Sequence, residues 1–192
     1  MATPLILDYL PRQQFEPFHQ RRERFACIVT HRRAGKTVAC VQELQRAAMR
    51  SRNVRPRFAY LAPFQKQAKA VAWDYLRAAM ASVRPLGATV HESELRVDYT
   101  NGGQVRLYGA DNPDAMRGIY LDGIVLDEYA DMDPRVWSEI IRPAPSRFIN
   151  KGNDPNARKA ANQNFTSARD MHLICAQAPP QRSRRPLIAR LQ

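Results

Sequence analysis

The stretch CIVTHRRAGKTVA, residues 27–39, decides how the rest of the sequence is interpreted. An apolar run leads into it and predicts a buried strand, and the residues after it carry apolar side chains at helical intervals. Between the two, Gly35-Lys36-Thr37 is the closing triplet of the pattern G-x-x-x-x-G-K-[ST], although Thr30 stands where the first glycine belongs. A strand, a loop and a helix in this order predict a phosphate-binding loop.

The composition is that of one globular domain that meets a polyanion. Of the 192 residues, 44% are hydrophobic and 25% are charged, and the net charge is +12. A soluble protein this basic typically binds nucleic acid. The three cysteines, Cys27, Cys40 and Cys175, form no C-x-x-C pair, which argues against a zinc site and against a secreted disulfide framework. No signal peptide and no membrane span is predicted, so we expect a protein of the reducing cytoplasm without a membrane partner.

Strand and helix patterns alternate along most of the chain. Asn101-Gly102-Gly103 is a hairpin turn signal. In addition to the first strand, at 25–30, strands are predicted at 57–62, 95–100, 104–109 and 123–126, and helices at 37–51, 64–83 and 133–142, the last with Asp133 as its N-cap. The alternation predicts an α/β fold, a three-layer sandwich in which helices flank a central, mostly parallel sheet.

A second chemical element lies in GIVLDEYADM, where a buried strand ends in Asp127 and Glu128. A strand-terminal aspartate can hold Mg²⁺ through water, and a glutamate directly after it can polarise an attacking water molecule. An acidic pair at a helix N-terminus is the alternative explanation. With Lys36 reaching the β- and γ-phosphates and Thr37 ligating Mg²⁺, the two elements together predict a Mg-nucleotide site.

Five segments resemble one family, in order and spacing, over residues 10–144: LPRQQFEPFHQ, CIVTHRRAGKTVA, YLAPFQKQAKAVAWDYL, LYGADNPDAMRG and GIVLDEYADMDPRVWSEIIRPA. The chain resembles the ATPase domain of the large terminase subunit of tailed bacteriophages and prophages, a P-loop NTPase. The resemblance implies that ATP hydrolysis drives double-stranded DNA into the procapsid. It also implies a bacterial host cytoplasm with transient docking at the portal, a small terminase subunit as partner, and a homo-oligomeric ring.

The resemblance assigns roles to further residues. Arg32 matches the arginine that acts in the family as an arginine finger in cis or as a γ-phosphate sensor, and Arg33 is a phosphate-side or surface contact. Two solvated arginines are the alternative. Gln14, or else Gln13, matches the adenine-reading glutamine. The nucleotide-binding set is thus Gln13, Gln14, Thr30, His31, Arg32, Arg33, Ala34, Gly35, Lys36 and Thr37, the catalytic residues are Glu128 and Arg32, and the Mg²⁺ ligands are Thr37 and Asp127.

Some further positions are assigned by the same resemblance or by their pattern. Residues 60–63 and Arg117-Gly118 are expected to relay the nucleotide state or to touch DNA. Trp73 and Trp137 stand at helical positions among apolar neighbours, which favours burial in the core over stacking on bases.

The C-terminal part departs from the family. Residues 151–192 hold eight Lys or Arg against two Asp, and only HLICA, at 172–176, has the composition of a buried segment. We therefore predict an incomplete ATPase domain at 1–147 and a basic, poorly ordered tail at 148–192. Thr166-Ser167-Ala168 is a poor match to the family's coupling motif, and two aspartates are too few for the family's RNase H-like nuclease domain.

Three functions follow from this pattern. The first is a packaging ATPase without nuclease activity, encoded by an intact gene or by a truncated prophage gene. The second is a helicase-like DNA translocase, which the loop arginine and the short chain disfavour. The third is an inactive relic that binds nucleotide or DNA, which the missing coupling motif favours.

Overall fold

The computed structural model describes residues 9–23, 25–117, 119–141 and 172–177. These residues contribute seven strands to one sheet. The strands are β1 (Phe25–Val29), β2 (Arg57–Ala62), β3 (Thr89–His91), β4 (Arg96–Asp98), β5 (Gln104–Gly109), β6 (Gly123–Asp127) and β7 (His172–Gln177). They stand in the order β1-β7-β6-β2-β5-β4-β3.

Five neighbouring strands pair in parallel, namely β1, β7, β6, β2 and β5. Strands β4 and β3 extend the sheet in antiparallel orientation. Strands β2 and β6 are buried over almost their whole length. Burial on both faces explains why their sequences are continuous apolar runs rather than alternating patterns. The predicted mostly parallel sheet is confirmed, and so is the hairpin turn before β5, where Gly102 has a φ of 77°.

Helices precede β1 and follow several of the strands. They are α1 (Glu16–Gln20), α2 (Lys36–Arg50), α3 (Gln65–Ala68) and α4 (Asp74–Ala79), and π-helical segments span Lys69–Trp73 and Val136–Ile141. The first π-helical segment joins α3 to α4 without a break, so the helix predicted at 64–83 is confirmed over most of its length. Asp133 acts as predicted, because its Oδ1 accepts the Arg135 backbone N–H at 2.9 Å.

The two faces of the sheet carry separate hydrophobic clusters. Along β2, Phe58 and Tyr60 pack with Leu44 of α2. The alternate residues Ala59 and Leu61 point to the other face. There they join a second cluster that includes Met116, Leu121, Ile124, Leu126, Met132, Val136 and Ile141. Both faces are therefore covered, which gives the three layers that the alternating pattern predicts.

Strand β7 lies outside the range predicted for the ATPase domain. It lies inside the segment assigned to a poorly ordered tail, yet it pairs in parallel with both β1 and β6. Residues 172–177, which contain the HLICA segment with the composition of a buried segment, thus occupy an interior position in the sheet. The partners of β7 are distant in the chain, so no local pattern placed it there. The rest of the predicted tail, including Thr166-Ser167-Ala168, lies outside the described residues.

Candidate nucleotide site

The loop between β1 and α2 is shaped by two residues with positive φ. Arg33 has a φ of 64° and Gly35 a φ of 100°. Glycine adopts this left-handed conformation without strain, which explains the residue type directly before α2. The first backbone hydrogen bond of α2 runs from Ala39 N–H to the Gly35 carbonyl at 3.1 Å, and no described side chain caps the helix N-terminus. The N–H groups of the first turn and the helix dipole therefore favour an anion at this point.

Lys36 and Glu128 meet at the same place from distant parts of the chain. The Lys36 Nζ lies 3.0 Å from the Glu128 Oε1. Lys36 is 8% exposed, so its ammonium is held near the protein interior. Glu128 follows β6 directly and has a φ of 52°, an uncommon conformation for a residue other than glycine. The strained residue thus carries the carboxylate that the sequence assigns to catalysis.

Asp127 ends β6 as a buried carboxylate. It accepts a hydrogen bond from the hydroxyl of Tyr60, which is itself fully buried in β2. Burial raises the pKa of Asp127, while the Tyr60 hydrogen bond and the Lys36 charge oppose that rise. Burial and the neighbouring Asp127 raise the pKa of Tyr60 well above its usual value, and a hydrogen bond with Thr37 acts against this. The buried Asp127 carboxylate is therefore held by a hydroxyl group from the neighbouring strand β2.

The back of the loop is held by a segment that precedes β1. The Arg12 Nη1 donates to the Ala34 carbonyl at 2.8 Å, and the Gln14 Nε2 donates to the same carbonyl at 3.2 Å. Gln13 is exposed. The structure thus joins Gln14 to the loop through its amide, whereas adenine recognition by Gln13 or Gln14 remains a prediction.

The polar side chains of the loop have different surroundings. The Thr30 hydroxyl is buried and makes no hydrogen bond with the described residues. His31, Arg32 and Arg33 are exposed, and the His31 Nδ1 lies 2.7 Å from the Arg32 carbonyl oxygen. Both arginine side chains of the loop are therefore exposed to solvent, and the roles assigned to Arg32 and Arg33 remain predictions.

A buried charge network fixes the N-terminal segment to α2. Glu43 lies 2.9 Å from the His19 Nδ1, 2.9 Å from an Arg21 nitrogen and 2.8 Å from an Arg46 nitrogen. The Arg21 guanidinium also lies over the Phe18 ring, 4.4 Å from its centroid. Burial alone would raise the pKa of Glu43, but the His19 hydrogen bond and the two guanidinium charges outweigh burial and lower it.

The structure also decides the assignments made for residues outside the loop. Trp73 is buried and its Nε1 donates to the Glu92 Oε2 at 2.7 Å, and Trp137 packs against the second hydrophobic cluster, as predicted. Tyr60 is buried, so a direct DNA contact by its side chain is excluded. Arg117 is exposed and pairs with Asp114 at 2.6 Å, and its neighbour Gly118 lies outside the described residues.

Sequence reasoning missed two contributions to the site. Tyr60 was grouped with a segment of uncertain role, and only its pairing with Asp127 shows that it belongs to the carboxylate end of β6. Arg12 was not assigned at all, although it stands directly before the two glutamines. A long polar side chain next to a predicted ligand residue is a weak signal, because nothing in the sequence specifies its direction.

The described residues contain no helix that is long and apolar enough to cross a membrane. No family model and no curated protein matches the sequence.

Solved structures, in contrast, match the fold. The ATPase domain of the large terminase of Thermus phage P74-26 superimposes with a TM-score of 0.64 at 20% identity, over 91% of this chain and 67% of that domain. The large terminase of a second, thermophilic bacteriophage matches with a TM-score of 0.56 at 16% identity, over 87% of this chain. The match covers 36% of that second terminase, which was also solved in complex with ADP. At these identities the likeness establishes the fold, and the fold of this chain is that of the large terminase ATPase domains.

Proposed function

We propose that this chain is the ATP-hydrolysing motor domain of a phage terminase large subunit, which drives viral double-stranded DNA into the procapsid. The observation that carries the proposal is the ion pair of Lys36 with Glu128, directly after Asp127, at the uncapped N-terminus of α2. This contact lies within a fold that the chain shares with phage large terminases, one of which was solved with ADP. The proposal includes the P-loop identity of residues 30–37.

The residues at this point fit Mg-ATP. A helix N-terminus and a nearly buried lysine suit phosphate oxygens. Thr37 directly follows Lys36 and Asp127 directly precedes Glu128, so the contact between Lys36 and Glu128 brings together two segments that carry oxygen ligands of the type that Mg²⁺ takes. The buried Thr30 hydroxyl, which has no partner among the described residues, gives the loop a further polar group. When bound, Mg²⁺ neutralises charge on the β- and γ-phosphates.

The ion pair between Lys36 and Glu128 suggests how the chain uses these groups. While Lys36 holds the Glu128 Oε1, the ammonium competes with a water molecule for that oxygen. Phosphate oxygens compete for the Lys36 ammonium, and their binding removes this competition, so that the Glu128 carboxylate can polarise the attacking water. Arg32, whose side chain is exposed in the loop, neutralises charge on the transferred phosphoryl group. Nucleotide binding and activation of the base are thereby linked through one lysine.

The polymer partner follows from the charge. A net charge of +12 favours a phosphate backbone, and binding of this type is salt-dependent and indifferent to sequence. The proposal therefore names double-stranded DNA as the partner, together with the portal, the small terminase subunit and a homo-oligomeric ring. The host cytoplasm is the proposed location.

A second candidate function, an inactive relic, is favoured by one observation. Strand β7 lies between the strands that carry the loop and Asp127, and it ends at Gln177. The family places its coupling motif after a strand beyond the acidic pair, and the sequence that follows β7, Ala178-Pro179-Pro180, does not match that motif. Such a relic would bind nucleotide without coupling hydrolysis to movement.

One assay separates these candidates. The purified chain is tested for ATP hydrolysis with and without double-stranded DNA, beside Lys36→Ala. A motor hydrolyses ATP, is stimulated by DNA, and loses activity by at least about 100-fold when the phosphate-binding ammonium is removed. A relic binds fluorescent ADP without turnover. If Lys36→Ala binds ADP as tightly as the wild type, the nucleotide site is not where we place it.

A further inference from the structure

The structure assigns a positioning role to Arg12: we infer that its guanidinium orients the peptide between Ala34 and Gly35, so that the loop presents an N–H group to the phosphates. This inference rests on the proposed nucleotide site. The Arg12 Nη1 lies 2.8 Å from the Ala34 carbonyl oxygen and 3.5 Å from that of Arg33. Gln14 adds a second donor to the Ala34 carbonyl. One carbonyl group of the loop is therefore held by two side chains from the same N-terminal segment.

Peptide geometry turns this contact into a constraint on the loop. No peptide bond of the described residues is cis. In a trans peptide the C=O and the following N–H point in opposite directions. When Arg12 draws the Ala34 carbonyl to its side, the Gly35 N–H is directed away from Arg12. A flip of this peptide would turn a carbonyl oxygen, which repels phosphate, toward the side on which the N–H is needed.

The loop needs such a constraint because of its own residues. Gly35 has a φ of 100°, and glycine has access to more backbone conformations than any other residue. Arg33, two residues earlier, is also left-handed. Within the loop, the Ala34 N–H donates to the His31 carbonyl at a long 3.3 Å. The internal hydrogen bond is therefore weak, and the short bond from Arg12 is the stronger restraint on the peptide.

Arg12 can act as a restraint because its own segment is anchored. The Phe15 N–H donates to the Arg12 carbonyl at 2.7 Å, and Phe15 and Phe18 are buried in the core. Further along, Arg21 is bound to Glu43, which lies on α2 itself. The segment that carries Arg12 is thus attached to the same helix whose N-terminus forms the site. Arg12 and the loop keep their relative positions as long as Glu43 of α2 holds Arg21.

The role of Arg12 predicts a loss that depends on phosphate. Arg12→Ala should weaken binding of mant-ADP about tenfold, which corresponds to about 1.4 kcal/mol, and leave the weaker binding of adenosine unchanged. Arg12→Lys keeps the charge but offers a different donor geometry. It should therefore recover less than half of the binding free energy that Arg12→Ala loses. Arg12→Gln keeps a planar donor but is shorter and uncharged, so it should lose part of the affinity. The exposed Arg22→Ala is the matched control.

A second measurement needs no nucleotide. In ¹⁵N relaxation of the full chain, the Gly35 order parameter should fall from about 0.85 to below about 0.6 in Arg12→Ala, while amides of β2 and β6 stay rigid. A global loss of stability would not produce this local change. If Arg12→Ala does not fold, Arg12→Gln should show an intermediate loss of Gly35 order, and wild-type order in that variant refutes the inference.

The outcomes separate the inference from the proposed function. Wild-type mant-ADP affinity and wild-type Gly35 order in Arg12→Ala would overturn the inference. Full rescue by Arg12→Lys, with an effect that vanishes at high salt, would also overturn it, because a general charge effect would then suffice. If the wild-type chain binds no ADP at all, the proposed function fails, and the relaxation measurement still decides whether Arg12 orders the loop.

Discussion

Replacing Glu128 with glutamine tests the exchange of Lys36 between carboxylate and phosphate. The two charges are 3.0 Å apart, and their side chains are 9% and 28% exposed for Lys36 and Glu128. At an effective dielectric constant of about 20, the gross attraction at this distance is about 5 kcal/mol. Desolvation of both charges cancels most of this attraction, which leaves a net contribution of about 1 kcal/mol.

Glu128→Gln should therefore have two opposite effects. Because phosphate no longer competes with a carboxylate for Lys36, mant-ADP should bind about fivefold more tightly, which corresponds to about 1 kcal/mol. Because the amide cannot accept a proton from water, ATP hydrolysis should fall by at least about 100-fold. The amide oxygen of the introduced glutamine still accepts a hydrogen bond from Lys36, so the free energy of unfolding should fall by only about 1 kcal/mol.

The assay is equilibrium titration with mant-ADP, in parallel with single-turnover ATP hydrolysis. Glu139→Gln is the matched control, because it removes one exposed carboxylate outside the site and should leave both readouts unchanged. Weaker or equal ADP binding by Glu128→Gln would refute the competition between phosphate and Glu128 for Lys36. Wild-type hydrolysis would refute the assignment of Glu128 as the base.

Three further predictions concern groups that support the site. Tyr60→Phe removes the hydrogen bond to Asp127, so ATP hydrolysis should require about tenfold more Mg²⁺ while stability falls by only about 1 kcal/mol, and an unchanged Mg²⁺ titration would contradict this. Gly109→Ala should cost at least about 2 kcal/mol in a denaturant titration, because its Cβ would lie 2.0 Å from the Asp111 Oδ1 and 2.2 Å from the Gln65 backbone nitrogen. Glu43, whose pKa is lowered in the folded state, stabilises the protein above its unfolded pKa and loses this contribution as the pH falls through its folded pKa. Glu43→Gln should therefore destabilise the protein by about 3 kcal/mol at pH 7 and flatten the acid part of the profile of stability against pH, whereas an acid limb identical to that of the wild type would contradict the buried network.

The parts of the fold that the sequence predicts are those with local causes. Strands β2 and β6 are continuous apolar runs because both of their faces are buried, and α2 is amphipathic because one side packs on the sheet. Strand β7 has no comparable local cause, since its place between β1 and β6 is set by pairing with distant segments. The three-residue strand β3 exists only as the antiparallel partner of β4. Short strands of this kind are stabilised by their neighbours, so periodicity in their own residues is too brief to predict them.

The same distinction applies to the site. Lys36 and Asp127 are predictable because a helix N-terminus and a strand end fix their chemistry locally, whereas Tyr60 joins them only through sheet register. Tyr60 lies opposite Val125 in the parallel pairing of β2 with β6, and Val125 and Asp127 face the same side because side chains alternate along a strand. A register shift of one residue would place Leu61 on that side and leave the buried carboxylate without its donor. The register that places Leu61 in the opposite cluster therefore also determines which residue supports the Asp127 carboxylate.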